Sequence, residues 1–371
     1  MKTILQVFTG FRHEADDSPE DIIGKIAWFS SRMDVDRVII GWSTEPSVYR
    51  KVGEFLHRQG ISMLLWLPVF SGIPDSFGPD PAVDIFDSPL PAPEVDGSES
   101  FHFVCPSSRR NARIAMARYE KHFSSCGFDG VFLDRIRTQS FVSGISGVLS
   151  CACEHCRNAF LRRGVNPDDV RELYESRKDH FFDVASWPMN GAFVLKHPLA
   201  QRFFEAKEEM VADTVCEISA AFRSKGLIVG LDLFAPVVSR FVGQRYSLIA
   251  RNADFIKPML YRRTWAPAGV GYELSLFGKA VPDACGKISL EMDIAFLRTQ
   301  LDAMKNLPCE KYPGLEINYD KEIIKTDTAY IEESLNAVET FGFEGAALCW
   351  NIMKAPQQHM NAAALRRRHF L

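Results

Sequence analysis

The sequence has no long hydrophobic run, no large excess of charge and no basic patch. No stretch of about 18 or more apolar residues occurs, so nothing in it predicts a membrane-spanning helix. The net charge of −4 gives no reason to expect a nucleic acid or a membrane as partner. The opening MKTILQVFTGF is shorter than the core and cleavage site of a signal peptide, so we expect a cytoplasmic protein.

Two further absences concern cysteine and histidine. The chain has nine cysteines, an odd number, and only four of them are closely spaced, so a reduced protein with a metal site fits better than a disulfide framework. The nine histidines are scattered, and no His-x-His follows the first predicted strand. A metal-dependent hydrolase, which needs a histidine-rich first shell, therefore ranks last among the functions considered.

What the 371 residues do show is an alternation of strands and helices, with the apolar content of 46% that a sizeable core needs. We predict eight strands: Ile4–Phe8, Arg37–Trp42, Ser62–Phe70, Gly130–Leu133, Leu227–Leu233, Asp254–Tyr261, Tyr312–Asn318 and Gly345–Trp350. The alternative, an open doubly wound sheet, is disfavoured because no G-x-G-x-x-G turn follows strand 1. The prediction is an α/β protein, a single (β/α)8 TIM barrel over residues 1–371, with βα-loop insertions at about 71–104 and 138–200.

Polar and aromatic side chains fall at the carboxyl ends of these strands, where barrel enzymes place their catalytic groups. Because successive strand residues alternate faces, several of these side chains are expected to converge on one barrel mouth. They are Asp134, Asp232, Tyr261, Glu316, Asn318 and Trp350.

Glycoside hydrolysis needs two carboxyl groups, one ionised and one protonated. We predict Asp134 and Glu316 as the catalytic pair, with Asp232 third. Arg135 and Arg137 follow Asp134 and would keep it ionised, which suits a nucleophile and leaves Glu316 as acid/base. The reverse assignment stays open, and so does a structural role in which each carboxylate caps a helix or pairs with an arginine.

Further residues near the strand ends are candidates for binding a sugar. Trp42, Trp66 and Trp350 are candidate platforms for stacking on pyranose rings, and the alternative for each is a place in the barrel core. Polar contacts to the substrate are assigned to Arg135, Tyr261 and Asn318. For Tyr261, a plain position at the edge of the core is the competing interpretation.

Cys105, Cys151, Cys153 and Cys156 form a C…C-x-C-x-x-C set. Zinc takes four thiolates in a tetrahedron, and the short spacing lets one loop supply three of them. We predict a structural zinc ion held by these four residues, with His155 as a substitute for one ligand. The competing interpretation is a group of reduced thiols without metal.

This cysteine set resembles the structural zinc site of family 42 β-galactosidases. There a Cys-Pro-x-Ser turn precedes helix 3 and a C-x-C-x-x-C loop follows strand 4, as Cys105-Pro-Ser-Ser and Cys151 to Cys156 do here. The resemblance implies a barrel glycosidase whose strand-7 nucleophile corresponds to Glu316. It does not carry over the acid/base, because the family's Asn-Glu pair at strand 4 is replaced by Asp134-Arg135.

The segment GFDGVFLD, which ends at Asp134, also looks like the strand-4 motif of the α-amylase and α-galactosidase groups. In those groups the aspartate is the nucleophile. Together these patterns predict a divergent glycoside hydrolase of the TIM-barrel type that acts on a small oligosaccharide or glycoside. The alternative is a barrel that binds or senses carbohydrate without hydrolysing it. A homo-oligomer is possible in either case.

Overall fold

The computed structural model describes residues 1–73, 75–91, 94–95, 99–100, 102–188, 191–281 and 291–364. Cys285 and the chain beyond residue 364 lie outside these ranges. No helix in the described ranges is both long and apolar enough to cross a membrane.

Eight parallel strands close into a barrel, as predicted. They are β1 Lys2–Phe8, β2 Val35–Gly41, β3 Ser62–Pro68, β4 Gly130–Asp134, β5 Ile228–Phe234, β6 Phe255–Met259, β7 Gly314–Glu316 and β8 Gly345–Cys349. Each strand pairs with its neighbours in the chain, and β8 pairs with β1 to close the ring. The two-residue strand Glu310–Lys311 pairs with the start of β6.

A helix follows each of the eight strands in the chain. These helices are α1 Pro19–Ser30, α2 Pro46–Arg58, α3 Arg109–His122, α4 Pro198–Arg223, α5 Tyr246–Ile249, α6 Ile294–Asp302, α7 Thr328–Thr340 and α8 Gln357–Ala364. Ser18 caps α1, because its side chain accepts from the Asp21 backbone N–H.

The two predicted insertions follow β3 and β4. The first holds the short helix Asp75–Phe77 and the paired strands Glu94–Val95 and Glu99–Ser100. The second holds the helices Phe141–Ser143, Gly144–Val148, Glu154–Leu161 and Pro167–Ser176 and the hairpin strands Val184–Ser186 and Val194–Leu195. Short helices Ser239–Val242 and Ala250–Asn252 flank α5, Val270–Ala280 follows β6, and Ile352–Lys354 follows β8.

In β4, β5 and β6, residues that are aligned across neighbouring strands form layers inside the barrel. Phe132 and Phe255 both align with Gly230, and their rings stack at 6.0 Å. A side chain at Gly230 would lie 2.1 Å from the Phe255 ring, so the layer requires glycine there. Two residues further along, Lys257 aligns with Asp232. Since Leu133 aligns with Leu231, the next residues, Asp134 and Asp232, lie side by side.

Candidate active site

A cavity of about 270 Å³ opens at the carboxyl ends of the barrel strands. Its volume lies just below the range of about 300–1,000 Å³ that is typical of small-molecule sites. It is lined by most of the residues that the sequence placed at the mouth: Trp42, Trp66, Asp134, Arg135, Asp232, Tyr261, Asn318 and Trp350. Glu316 is not among the lining residues.

Asp134 ends β4 and is partly exposed to the cavity. One carboxylate oxygen accepts from the indole Nε1 of Trp66 at 2.9 Å, and the other accepts from the backbone N–H of Arg135. Arg135 has a φ of 53°, a conformation that non-glycine residues rarely adopt, and this bends the chain straight after the strand. The two hydrogen bonds fix the orientation of the carboxylate at the end of the strand.

Asp232 lies on the inner face of β5 with 3% of its surface exposed. Its Oδ2 accepts from Lys257 Nζ at 2.9 Å, whereas its Oδ1 has no hydrogen-bond partner among the described residues. The pKa of Asp232 is raised to about 7, chiefly by burial; Lys257 opposes this rise and the charge of Asp134 contributes to it. Burial lowers the pKa of Lys257, but Asp232 together with Cys349 and Asp134 outweighs burial and leaves the pKa raised, so the amine stays protonated.

Glu316 ends β7 and is fully buried. One carboxylate oxygen accepts from the backbone N–H groups of Arg263 at 2.7 Å and Thr264 at 3.2 Å. The other accepts from the hydroxyl of Tyr330 at 2.7 Å. Burial raises the pKa of Glu316, and these donors act against that rise. Thr264 itself lines the cavity, so the segment after β6 lies between Glu316 and the cavity.

One wall of the cavity is aromatic. Phe8, Phe11, Trp42 and Trp66 make edge-to-face contacts, with centroid distances from 4.7 Å for Phe8–Phe11 to 6.1 Å for Phe8–Trp66. Trp66 is largely buried, and its indole N–H is used on Asp134, so it supports a carboxylate as well as lining the cavity. The guanidinium of Arg135 lies 4.6 Å from the Trp42 ring centre and donates to Ser71.

Three polar side chains complete the floor. The Tyr261 hydroxyl accepts from Lys257 at 3.0 Å. Gln6, on β1, accepts from the same amine at 3.2 Å through Oε1. Asn318 is buried, and neither of its amide atoms has a partner among the described residues.

The sulfur atoms of Cys105, Cys151, Cys153 and Cys156 all lie within 4.8 Å of one another. Those of Cys105 and Cys153 are 3.2 Å apart, and those of Cys105 and Cys156 are 3.5 Å apart. Thiol donation, first from Cys105, lowers the pKa of Cys153 far below its usual value. The group joins the start of α3 to the insertion after β4. His155 points instead to Asp80, at 3.4 Å.

Some residues of the site are not among those predicted from the sequence: Gln6, Lys257, Phe8, Phe11 and Phe234. The sequence does contain a signal for Gln6 and Lys257, because each is a long polar side chain in the middle of an otherwise apolar strand. Such a residue points either to a buried polar network or to a site. Arg137, named only as a neighbour of Asp134, also lines the cavity, with its guanidinium 4.4 Å from the centre of the Phe234 ring.

No family model matches the sequence. A search of curated proteins finds no match either.

Solved structures match the fold along almost the whole chain. The PgaB (BpsB) glycoside hydrolase domain from Bordetella bronchiseptica superposes with a TM-score of 0.63 at 14% identity, over 98% of this chain and 97% of that one. An α-L-fucosidase from Paenibacillus thiaminolyticus gives 0.56 at 11% identity, over 98% of this chain and 48% of that chain. The C-terminal domain of a putative chitinase from Desulfitobacterium hafniense gives 0.51 at 9% identity, with 97% of each chain covered.

The chain therefore has the fold of TIM-barrel glycoside hydrolases and chitinases. At these identities the likeness concerns the fold alone, and activity has to be argued from the site. The specific resemblance of the cysteine loop to that of family 42 β-galactosidases stays a prediction.

Proposed function

We propose that the protein is a glycoside hydrolase that acts on a small oligosaccharide or glycoside. The observation that carries the proposal is the pairing of Asp134 and Asp232 on neighbouring strands, at the mouth of a barrel, in a cavity with an aromatic wall. Aromatic faces stack on sugar rings, and two carboxyl groups are what glycoside hydrolysis requires. The fold neighbours named above include glycoside hydrolases, which supports the same class.

The two aspartates suit different roles. A general acid must hold a proton near neutral pH, and burial raises the pKa of Asp232 to about 7. Its buried Oδ1 has no hydrogen-bond partner among the described residues, and Asp232 lines the cavity, so we assign this oxygen to protonate the leaving group. Asp134 accepts two N–H hydrogen bonds, which hold its carboxyl group in one orientation at the cavity. We assign it as the nucleophile, in line with the strand-4 resemblance.

The spacing of the pair favours retention of configuration. Neighbouring strands lie about 4.8 Å apart. A retaining enzyme needs its carboxyl groups roughly 5–5.5 Å apart, whereas an inverting one needs roughly 6.5–9.5 Å. Side chains from adjacent positions of adjacent strands fall more easily in the first range.

This pair replaces the one proposed from the sequence, Asp134 with Glu316. Both oxygens of Glu316 are engaged by Arg263, Thr264 and Tyr330, and the residue does not line the cavity. A group that transfers a proton or attacks a substrate has to reach it. We therefore propose that Glu316 anchors the loop after β6.

We further propose that Cys105, Cys151, Cys153 and Cys156 hold one structural zinc ion. Four sulfurs at about 2.3 Å from zinc lie about 3.8 Å from each other in a tetrahedron. The distances of 3.2 and 3.5 Å and the common limit of 4.8 Å fit that arrangement. With four thiolates the ion has no open position, so it would brace the two loops and take no part in hydrolysis. Closely packed thiols without disulfides also support the proposed cytoplasmic location.

One observation favours the alternative, a barrel that binds carbohydrate without cleaving it. Lys257 contacts Asp232 at 2.9 Å, and a strong ion pair would keep Asp232 ionised and unable to act as an acid. Sugar binding without turnover is the outcome expected from that state.

The test is a screen of wild-type protein against aryl glycosides of the common sugars. One of them should be hydrolysed, and Asp134→Asn and Asp232→Asn should each lower its turnover by about 10²-fold or more. Asp327→Asn is the matched control, because Asp327 caps α7 outside the cavity and asparagine caps equally well. Binding of a sugar with no turnover of any glycoside would support the alternative.

A further inference from the structure

Three residues that line the cavity carry buried polar atoms without partners among the described residues. Among the described residues, Gln6 Nε2, Trp42 Nε1, and both Nδ2 and Oδ1 of Asn318 are buried without a hydrogen-bond partner. All three residues line the cavity, and at most 1% of Gln6 or Asn318 is exposed. Buried polar groups in proteins are nearly always paired, so several unpaired ones around one cavity indicate a missing partner.

Lys257 determines how Gln6 faces this floor. The ammonium group has three N–H donors, and they are taken by Asp232 Oδ2 at 2.9 Å, Tyr261 Oη at 3.0 Å and Gln6 Oε1 at 3.2 Å. With its oxygen turned to Lys257, Gln6 is left with its Nε2 donor for the cavity. The buried lysine thus orients a donor on β1 and a carboxyl oxygen on β5, and has no donor left for a ligand.

Asn318, which follows β7, offers both a donor and an acceptor. Its backbone carbonyl accepts from the Thr326 hydroxyl at 2.6 Å, which holds the residue in place, while its side-chain amide is uncommitted. One N–H donor and one carbonyl acceptor match a pair of neighbouring hydroxyl groups, each of which can donate and accept.

We propose that Gln6, Trp42 and Asn318 form a subsite for one uncharged sugar ring that presents adjacent hydroxyl groups to the cavity floor. The inference deepens the proposed function and rests on it for the class of ligand. Each unpaired donor is a neutral amide or indole, which suits hydroxyl oxygens better than a carboxylate or sulfate. The cavity of about 270 Å³ is large enough to hold one such ring.

Asn318→Leu tests the subsite most cleanly. The asparagine side chain makes no hydrogen bond among the described residues, so replacing it with a similar apolar side chain removes an unpaired buried amide. We expect the melting temperature to stay unchanged or to rise, and the affinity for the sugar to fall about tenfold. Asn361→Leu, on the exposed face of α8, is the matched control and should bind as wild type.

Calorimetric titration with D-glucose, D-galactose, D-mannose, L-fucose and D-glucuronate provides the readout. At least one of the four neutral sugars should bind, and D-glucuronate should bind more weakly than that sugar. Gln6→Met is the second variant, since it keeps the length of the side chain and removes the Nε2 donor; it should also weaken binding.

Three results would overturn the subsite: no neutral sugar binds at millimolar concentration, Asn318→Leu binds as tightly as wild type, or Asn318→Leu lowers the melting temperature by several degrees. The last would show that the amide has a structural partner. If a neutral sugar binds and Asn318→Leu weakens it, but no aryl glycoside is cleaved, the subsite stands and only the hydrolase proposal fails.

Discussion

At the scale of single residues, the proposed acid catalysis depends on the buried contact between Lys257 and Asp232. An unpaired buried carboxylate would be costly, and a fully compensated one would be a poor acid. Lys257 binds only one oxygen of Asp232, and burial still raises the pKa of the carboxyl group to about 7. The pair can therefore keep a proton on Asp232 at neutral pH.

This pKa predicts the direction of the pH dependence. A general acid is active when protonated, and the protonated fraction of Asp232 falls as the pH rises through about 7. We expect kcat/KM to fall on the alkaline side with an apparent pKa near that value. Initial rates of an aryl glycoside measured across the pH range would show it, and a flat profile up to high pH would contradict it.

Lys257→Met should move that alkaline limb to higher pH. The lysine lowers the pKa of Asp232 by its charge and its hydrogen bond, and methionine removes both at similar size. The pH profile separates this effect from a general loss of structure, which would lower the rate at every pH without moving the limb. Lys257→Arg, which keeps the charge, should leave the limb closer to its wild-type position.

At the scale of elements, the strands were predictable and the path of the loops was not. Asp134 and Asp232 could be placed at the barrel mouth because short apolar runs show where strands end and which residues share a face. The same reasoning put Glu316 at the mouth. It could not show that the segment containing Arg263 and Thr264 folds back onto that carboxylate. The helix Val270–Ala280, which follows this segment, was also not predicted.

Glu316→Gln tests the anchoring role. The carboxylate accepts hydrogen bonds from Arg263, Thr264 and Tyr330, and an amide can replace only part of this pattern. We expect a loss of about 1–3 kcal/mol in the free energy of unfolding, measured by denaturant titration. Glu322→Gln, at an exposed site nearby, should change stability little. If Glu316→Gln keeps full stability and loses turnover as strongly as Asp134→Asn, Glu316 is a catalytic group after all.

At the scale of the whole molecule, the cysteine group joins the end of the long loop after β3 to the long loop after β4. The spacing of the four cysteines in the sequence was specific enough to predict that they lie in one cluster. The ion itself is the next question. Purified under reducing conditions, the protein should contain about one zinc per chain by elemental analysis.

Cys153→Ser should lower both the zinc content and the melting temperature, because metal binding contributes to the stability of the loops. Cys216→Ser is the matched control, since Cys216 lies outside the cluster and contacts Asn252. A wild-type protein without stoichiometric zinc would refute the metal site.

The central claim is that Asp232 protonates the leaving group while Asp134 attacks the sugar. A 2,4-dinitrophenolate leaves without protonation, whereas an unsubstituted phenolate needs an acid. The most direct measurement is therefore kcat/KM for the 2,4-dinitrophenyl and phenyl glycosides of the preferred sugar, in wild type and in Asp232→Asn. The account predicts that the variant loses about 10²- to 10⁴-fold on the phenyl glycoside and far less on the dinitrophenyl glycoside. Equal losses on both substrates, or no loss on either, would contradict the role of Asp232 as the acid.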